Sequence, residues 1–307
     1  MSKTTIDWLR FRTQAQPLEG LEAVKSMYGA LGGLMKLRHL ERGMDGFKQA
    51  AEVVADDLVL GRVDYGGESQ RGWVRWNLPG KGCGWVQDWG AAECLEELES
   101  CELRRVDIAL TTWHGEVTHD FVVEAHQAGR FTTRGRPPEL RQITSSNPRA
   151  GRTCYVGKRG SDKLGRFYEK GFEMLRDMPE SRRGEIAQID GCQVEDIYRC
   201  EIELQSETRP VPWEVIARRD QYFAGSYPFC ADVLPDVDVE ILKGRPERQA
   251  QWSLEVALET MRHQWGSTLK TAIAAYHGDI GAVFGKVVGE HHNQALLDAG
   301  VLLVDHE

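Results

Sequence analysis

Apolar and polar residues alternate most clearly in two stretches, Arg104 to Thr112 and Ile197 to Gln205, and each predicts a strand with one apolar face. In the first, Val106, Ile108 and Leu110 share the apolar face, and Arg105, Asp107, Ala109 and Thr111 share the polar one. In the second, Tyr198, Cys200, Ile202 and Leu204 point inward, while Arg199, Glu201, Glu203 and Gln205 point outward. Shorter runs predict strands at Thr4 to Thr13, Val59 to Tyr65 and Trp73 to Leu78. Arg152 to Lys158 and Leu164 to Lys170 flank a turn rich in Gly, Ser and Asp, so they read as a hairpin. Along its second strand Leu164, Arg166, Tyr168 and Lys170 share one face and Phe167 takes the other.

Helical periodicity appears first at Leu21, Val24, Met27, Tyr28, Leu31, Leu34 and Met35, which predicts a helix from Leu18 to about Ala55. The stripe is clear only to Met35, and Gly32-Gly33 is a candidate break. A short helix is expected at Ala91 to Cys101, and an amphipathic one from Val117 to Ala128 that closes at Gly129. PGKGCG, Pro79 to Gly84, reads as a Gly-rich loop and lacks the GK[ST] ending of a P-loop. Arg130 to Arg149 reads as strand and loop feeding the hairpin, and from Val211 onward the pattern turns helical. The expected fold class is α+β: an antiparallel sheet with helices on one face in a domain spanning 1–243, then a C-terminal helical region, 244–307.

Composition adds limits. Hydrophobic content of 41% and charged content of 28% are those of an ordinary soluble globular protein, so long disorder is not expected. No run of eighteen apolar residues occurs and the first residues lack a secretory h-region, so no membrane partner and a cytoplasmic location are expected. Seven scattered cysteines without CxxC or finger spacing suggest reduced thiols. The net charge of -9 argues against nonspecific coating of nucleic acid. Yet Arg130 to Arg176 holds twelve Lys or Arg against four acids, a local +8 that leaves -17 for the remainder. Such a segment is either a solvated face or an anion-binding surface.

The hairpin places a tyrosine hydroxyl between two cations, Arg166 and Lys170, which would favour the phenolate, a nucleophile. The plainer reading is a strand tyrosine that packs its ring and lets the hydroxyl reach water. An antiparallel sheet covered on one side would gather Asp107, the Tyr168 group and the Glu201/Glu203 pair on its open face. Carboxylates suit Mg²⁺ or Mn²⁺, which can polarise a phosphodiester for attack by the tyrosine oxygen. The chemistry this suggests is DNA strand transfer through phosphotyrosine. A solvated sheet face would carry similar residues.

Four blocks then resemble a known family: IDWLRF at Ile6 to Phe11, LPGKGC at Leu78 to Cys83, RRVDIAL at Arg104 to Leu110, and YVGKRGSDKLGRFYEKG at Tyr155 to Gly171 followed by YRCEIEL at Tyr198 to Leu204. In this order, over most of residues 4 to 230, they are similar to the replication initiation factors of rolling-circle plasmids and filamentous phages (Rep_trans), which include some conjugative relaxases. The resemblance implies two related halves, Tyr168 as the nicking nucleophile with Arg166 and Lys170 stabilising charge, and Asp107, Glu201 and Glu203 as ligands of Mg²⁺ or Mn²⁺. It also implies a 5′-phosphotyrosyl link and a free 3′-OH for the host polymerase. Arg134, Arg136, Arg141, Arg152, Lys158, Arg159 and Lys163 are then candidates for the DNA backbone. The implied partners are origin DNA, single-stranded or extruded as a hairpin, a second copy of the chain in a homodimer, and host helicase and polymerase. Thr111 stands where many members have a second aspartate, and no HxH occurs, which disfavours histidine ligation. Two alternatives stay open: a relaxase that nicks a transfer origin, and a non-catalytic DNA-binding replication regulator.

Overall fold

The computed structural model describes residues 2–133, 135–179, 186–242, 246–298 and 300–303. Its centre is one ten-stranded sheet in the order β2-β3-β4-β5-β1-β6-β12-β9-β8-β7. Every neighbouring pair runs antiparallel. The strands are β1 Thr5–Thr13, β2 Met35–Leu40, β3 Gln49–Ala55, β4 Leu58–Tyr65, β5 Val74–Pro79, β6 Glu102–Thr112, β7 Leu140–Ile143, β8 Thr153–Val156, β9 Lys163–Tyr168 and β12 Tyr198–Gln205. A small two-stranded ribbon, β10 Gln188–Ile189 and β11 Cys192–Gln193, stands apart.

The sheet is two like halves. In the first, β1 leads into helix α1, Pro17–Lys25, and the strand order outward from the centre is β1-β5-β4-β3-β2. In the second, after two short helical turns, α2, Gly80–Cys83, and α3, Glu93–Glu96, β6 leads into helix α4, His119–Gln127, and the order outward is β6-β12-β9-β8-β7. Each half is therefore a strand, a helix and three further strands before its last sheet strand is counted in beside the first, and the halves meet where β1 pairs with β6.

The helices cover one face. Leu21 and Val24 of α1, Val122 and Ala125 of α4, and Val215, Ile216, Phe223 and Phe229 from the helices after β12 share one core with Leu9, Phe11, Val106, Ile108, Cys200 and Ile202. Removing these side chains from water is the main stabilising term, at roughly 25 cal/mol per Å². Helix α4 starts cleanly because the Thr118 side chain accepts a hydrogen bond from the Phe121 amide.

The helix expected from Leu18 to Ala55 ends much earlier. After α1 a 3₁₀ segment, Ser26–Leu34, is interrupted at Gly29, whose φ of 54° is left-handed, and Met35 already enters β2. Helical steps and strand alternation coincide over a few residues, so the stripe that reached Met35 hid the start of a strand. PGKGCG is not a loop: Gly80–Cys83 forms a helical turn, α2, whose Gly82 lies against Leu60. Contacts divide the chain into two compact units, Met1–Leu242 and Lys243–Glu307. The second is helical, with helices at Pro246–Ala275, Ile280–Val287 and Gln294–Asp298. Among the described residues no helix is long and apolar enough to cross a membrane. All seven cysteines are free thiols.

Candidate active site

Strand register gathers the residues singled out by alternation. On the face away from the helices, Asp107 of β6 stands opposite Glu203 of β12, Glu201 stands opposite Arg166 of β9, and Arg199 stands opposite Tyr168. The Tyr168 hydroxyl donates to Glu201 Oε2 at 3.5 Å. The Arg166 guanidinium lies 4.3 Å from the centre of the Tyr168 ring, and the Lys170 ammonium 5.7 Å from it. Lys170 reaches the ring from a different element than expected, since β9 ends at Tyr168 and Lys170 is the first residue of helix α5, Lys170–Arg176. Both cations also bind Glu173 of that helix.

This face is not simply solvated. Asp107, Glu201 and Tyr168 are 2%, 4% and 4% exposed, with Arg105 lying against Asp107 and Arg166 against both Glu201 and the Tyr168 ring. Burial, with Glu201 beside it, pushes the Tyr168 hydroxyl above its ordinary range, and the nearby Arg199 and Arg166 do not reverse this. The flanking cations therefore do not produce a standing phenolate, contrary to the expectation from the hairpin alone. Burial also lifts Glu201 to about 7, with Asp107 and Asp7 adding to it against the pull of Arg166 and Arg199. Asp107 rises to about 6 through burial, with Glu203 and Asp7 opposing the effect of Arg105.

Arg105 organises the acidic cluster. Its Nη2 lies 2.5 Å from Asp107 Oδ2 and 2.8 Å from Glu203 Oε2, and its guanidinium stacks 4.6 Å from the Trp8 ring centre. Arg199 binds Asp7 Oδ1 at 2.9 Å and donates to Thr111 Oγ1 at 3.0 Å, so the threonine at the departing position serves as an arginine acceptor. Among the described residues no group of three or more His, Cys, Asp or Glu side chains is placed to hold a metal ion. The donor chemistry nevertheless fits a hard divalent cation: carboxylate oxygens only, and two of them, Asp107 and Glu201, carry repulsion that a cation would relieve.

The DNA-backbone candidates separate by place. The Arg141 and Arg159 guanidinium groups each lie 5.4 Å from the Tyr155 ring centre, and Tyr155 pairs across from Arg166, so both belong to the tyrosine's face. Arg136 and Lys158 are exposed. Arg152 is held by Glu169 at 2.9 Å and Asp120 at 2.8 Å. Lys163 turns to the helix-covered side, over the Tyr227 ring at 3.8 Å. Arg134 lies outside the described residues.

Asp7 and Arg199 escaped notice as site residues. Plain alternation puts Asp7 with Leu9 and Phe11 in the core, but the β1–β6 register shifts between Ile6 and Trp8 and releases Asp7 toward Arg199. The signal was present in IDWLRF, where apolar spacing changes from three to two residues between Ile6, Leu9 and Phe11.

Fold and site together define an α+β protein of two like halves, with a buried tyrosine–carboxylate–arginine centre in its second half. The family model described as Replication initiation factor (Rep_trans) matches residues 101–259, more than half of the chain's 307 residues, and spans Asp107, Tyr168 and Glu201. The chain belongs to the replication initiation factor family. A solved structure described as a rolling circle replication initiator protein from Geobacillus stearothermophilus is similar over 78% of this chain and 99% of that one, with a TM-score of 0.54 and 19% identity, a likeness of fold. No curated protein matches the chain.

Proposed function

We propose that the chain initiates rolling-circle replication by cutting one strand of origin DNA with Tyr168. The observation that carries this reading is the Tyr168 hydroxyl 3.5 Å from a carboxylate, Glu201, that burial has lifted to about 7. A base with a pKa near the working pH is well matched to taking the proton of a buried phenol at the moment of attack. Family membership and likeness of fold to a rolling-circle initiator support it.

In the reaction, Tyr168 Oη bonds to phosphorus while the P–O3′ bond breaks, and the phenol proton passes to Glu201 and on to the departing 3′ oxygen. The products are a 5′-phosphotyrosine and a free 3′-OH. One phosphodiester replaces another, so no nucleotide is consumed and the closing step is the reverse. Arg166 and Lys170, both beside the ring, offset charge building on the phosphorane. Asp107, with Glu203 and Asp7 beside it, would hold Mg²⁺ or Mn²⁺, which when bound supplies Lewis-acid polarisation of the phosphate. Glu201, first expected among the ligands, is assigned here to the proton. A homodimer would bring a second Tyr168 for the closing cleavage.

The test is incubation of supercoiled DNA of the encoding replicon with Mg²⁺ or Mn²⁺ and either wild-type protein or Tyr168→Phe. The expected result is nicked circles with covalently attached protein for the wild type only. Equal DNA binding by both proteins, with no nick under either metal, would show a regulator instead.

A further inference from the structure

The two halves share a topology, so each strand of the catalytic half has a counterpart: β1 for β6, β5 for β12 and β4 for β9. Where the second half carries Asp107, Glu201 and Tyr168, the first carries Arg10 and Arg12 on β1, Arg75 and Asn77 on β5, and Arg62 and Asp64 on β4, joined by the register Arg10↔Asn77↔Arg62 and Arg12↔Arg75↔Asp64. A concavity of about 220 Å³ opens there, lined chiefly by Arg10, Arg12, Arg75, Arg104, Phe47 and Trp73. Arg10 also pairs with Arg105 of the acidic cluster in the β1–β6 ladder, so the concavity and the tyrosine centre belong to one continuous face.

Its cations are unevenly compensated. Arg75 is bound by Asp64 and Asp45, and Arg12 by Glu102. Arg104 lies 3.7 Å from that same Glu102. Arg10 donates to Asn77 Oδ1 at 3.2 Å, and no carboxylate lies within ion-pair distance of its guanidinium among the described residues. Burial and the neighbouring Arg105 and Arg75 make the charged form of Arg10 costly, a cost that an anion would remove. Counting Arg62 with the four lining arginines against Glu207, Asp45, Asp64 and Glu102, one positive charge remains, and Arg10 is the guanidinium without a carboxylate of its own. Two ring faces accompany the cations: the Arg12 guanidinium stacks 4.1 Å from the Trp73 centre and that of Arg75 lies 4.9 Å from the centre of Phe47.

Cations beside aromatic faces in a pocket of this size suit a phosphate together with one unstacked base, because a base inside a duplex cannot present its ring face. We propose that this pocket is a second, non-catalytic nucleotide site, where Arg10 holds a phosphate of single-stranded DNA and a base of the same strand lies against Trp73 or Phe47. It rests on the nicking function and extends it: one half cuts the strand and the like half grips it. Gln205, which lines the pocket, is six residues along β12 from Arg199, the partner of Tyr168, and β1 lies two strands beyond β12. With about 3.3 Å per residue and about 4.8 Å per strand, the grip is roughly 20–25 Å from the nucleophile. Several nucleotides must therefore separate the gripped base from the cut.

The experiment is photocrosslinking of oligonucleotides that carry 5-iododeoxyuridine at successive positions from the scissile phosphate, mapped by mass spectrometry in wild type and Tyr168→Phe. A crosslink to the Trp73 or Phe47 peptide from a narrow window several nucleotides from the cut is expected in both proteins. Arg10→Gln is expected to weaken binding of an oligonucleotide spanning both sites roughly tenfold. It should also make the salt dependence of binding shallower by roughly 0.7, the loss of one phosphate contact. It should leave an oligonucleotide too short to reach the pocket unaffected. A free deoxynucleoside monophosphate is the competing source of the same chemistry; if it displaces the crosslink at micromolar concentration, the pocket serves nucleotides and the strand-grip is overturned. Nicking without any crosslink at Trp73 or Phe47, and with unchanged affinity for Arg10→Gln, overturns the inference alone. A crosslink in a protein that never nicks overturns the proposed reaction and leaves the grip standing.

Discussion

At the scale of single residues, Glu201 is held where its charge is costly. Its pKa is raised in the fold, so its contribution to stability is full below the ordinary glutamate value and is lost as pH rises through about 7. Displacement from 4.5 to about 7 corresponds to about 3 kcal/mol. Glu201→Gln, which fixes the uncharged form, is expected to unfold at a higher temperature than wild type at pH 8, and the difference should shrink toward pH 5 in thermal melts. The same variant should nick far more slowly; if its melting point falls at pH 8, the carboxylate is not strained as described. Asp107 gives the metal test. Mg²⁺ or Mn²⁺ is expected to raise the melting temperature of wild type above pH 6 and to have little effect on Asp107→Asn, and equal shifts in both would remove Asp107 from the ligand set. These burdens were not legible in the chain, because alternation tells which side of a strand a carboxylate takes and not what closes over it. By alternation Asp107 and Glu201 lie on an open polar face, and in the fold Arg105 and Arg166 lie against them and both are buried.

At the scale of elements, the strands with strict alternation, β6 and β12, carried their own faces in the sequence, and with them the gathering of Asp107, Glu201 and Glu203. The run from Met35 to Ala55 did not, because β2 begins on Met35, the last position of a stripe that satisfies helical steps, β3 lies beyond that stripe, and the left-handed backbone at Gly29 that interrupts the helical stretch depends on its tertiary setting. The turn α2 shows how closely such pieces fit. A Cβ on Gly82 would lie 1.8 Å from the Leu60 carbonyl oxygen, and the Gly82 carbonyl itself accepts from the Tyr28 hydroxyl. Gly82→Ala is therefore expected to destabilise by about 1–3 kcal/mol in denaturant melts. Gly33→Ala, with nothing within 4 Å of the added carbon, should be neutral or slightly stabilising. Equal melts for the two variants would mean that α2 can shift away from β4 at no cost.

At the scale of the whole molecule, all the candidate chemistry lies in the unit ending at Leu242. A chain of residues 1–242 is expected to melt in one cooperative transition and to nick as well as the full chain; loss of cooperativity would show that the division by contacts is not a division in folding. The position of β9 has a mechanical consequence. It is an interior strand, laddered to β12 on one side and to β8 on the other, and Tyr168, the proposed nucleophile, is its last residue. A DNA end attached at Tyr168 while a polymerase or helicase works on the other strand would place the protein under tension. That load would pass into two ladders at once, so hydrogen bonds on both flanks would have to give way together, and the covalent complex would behave as a mooring rather than a hinge.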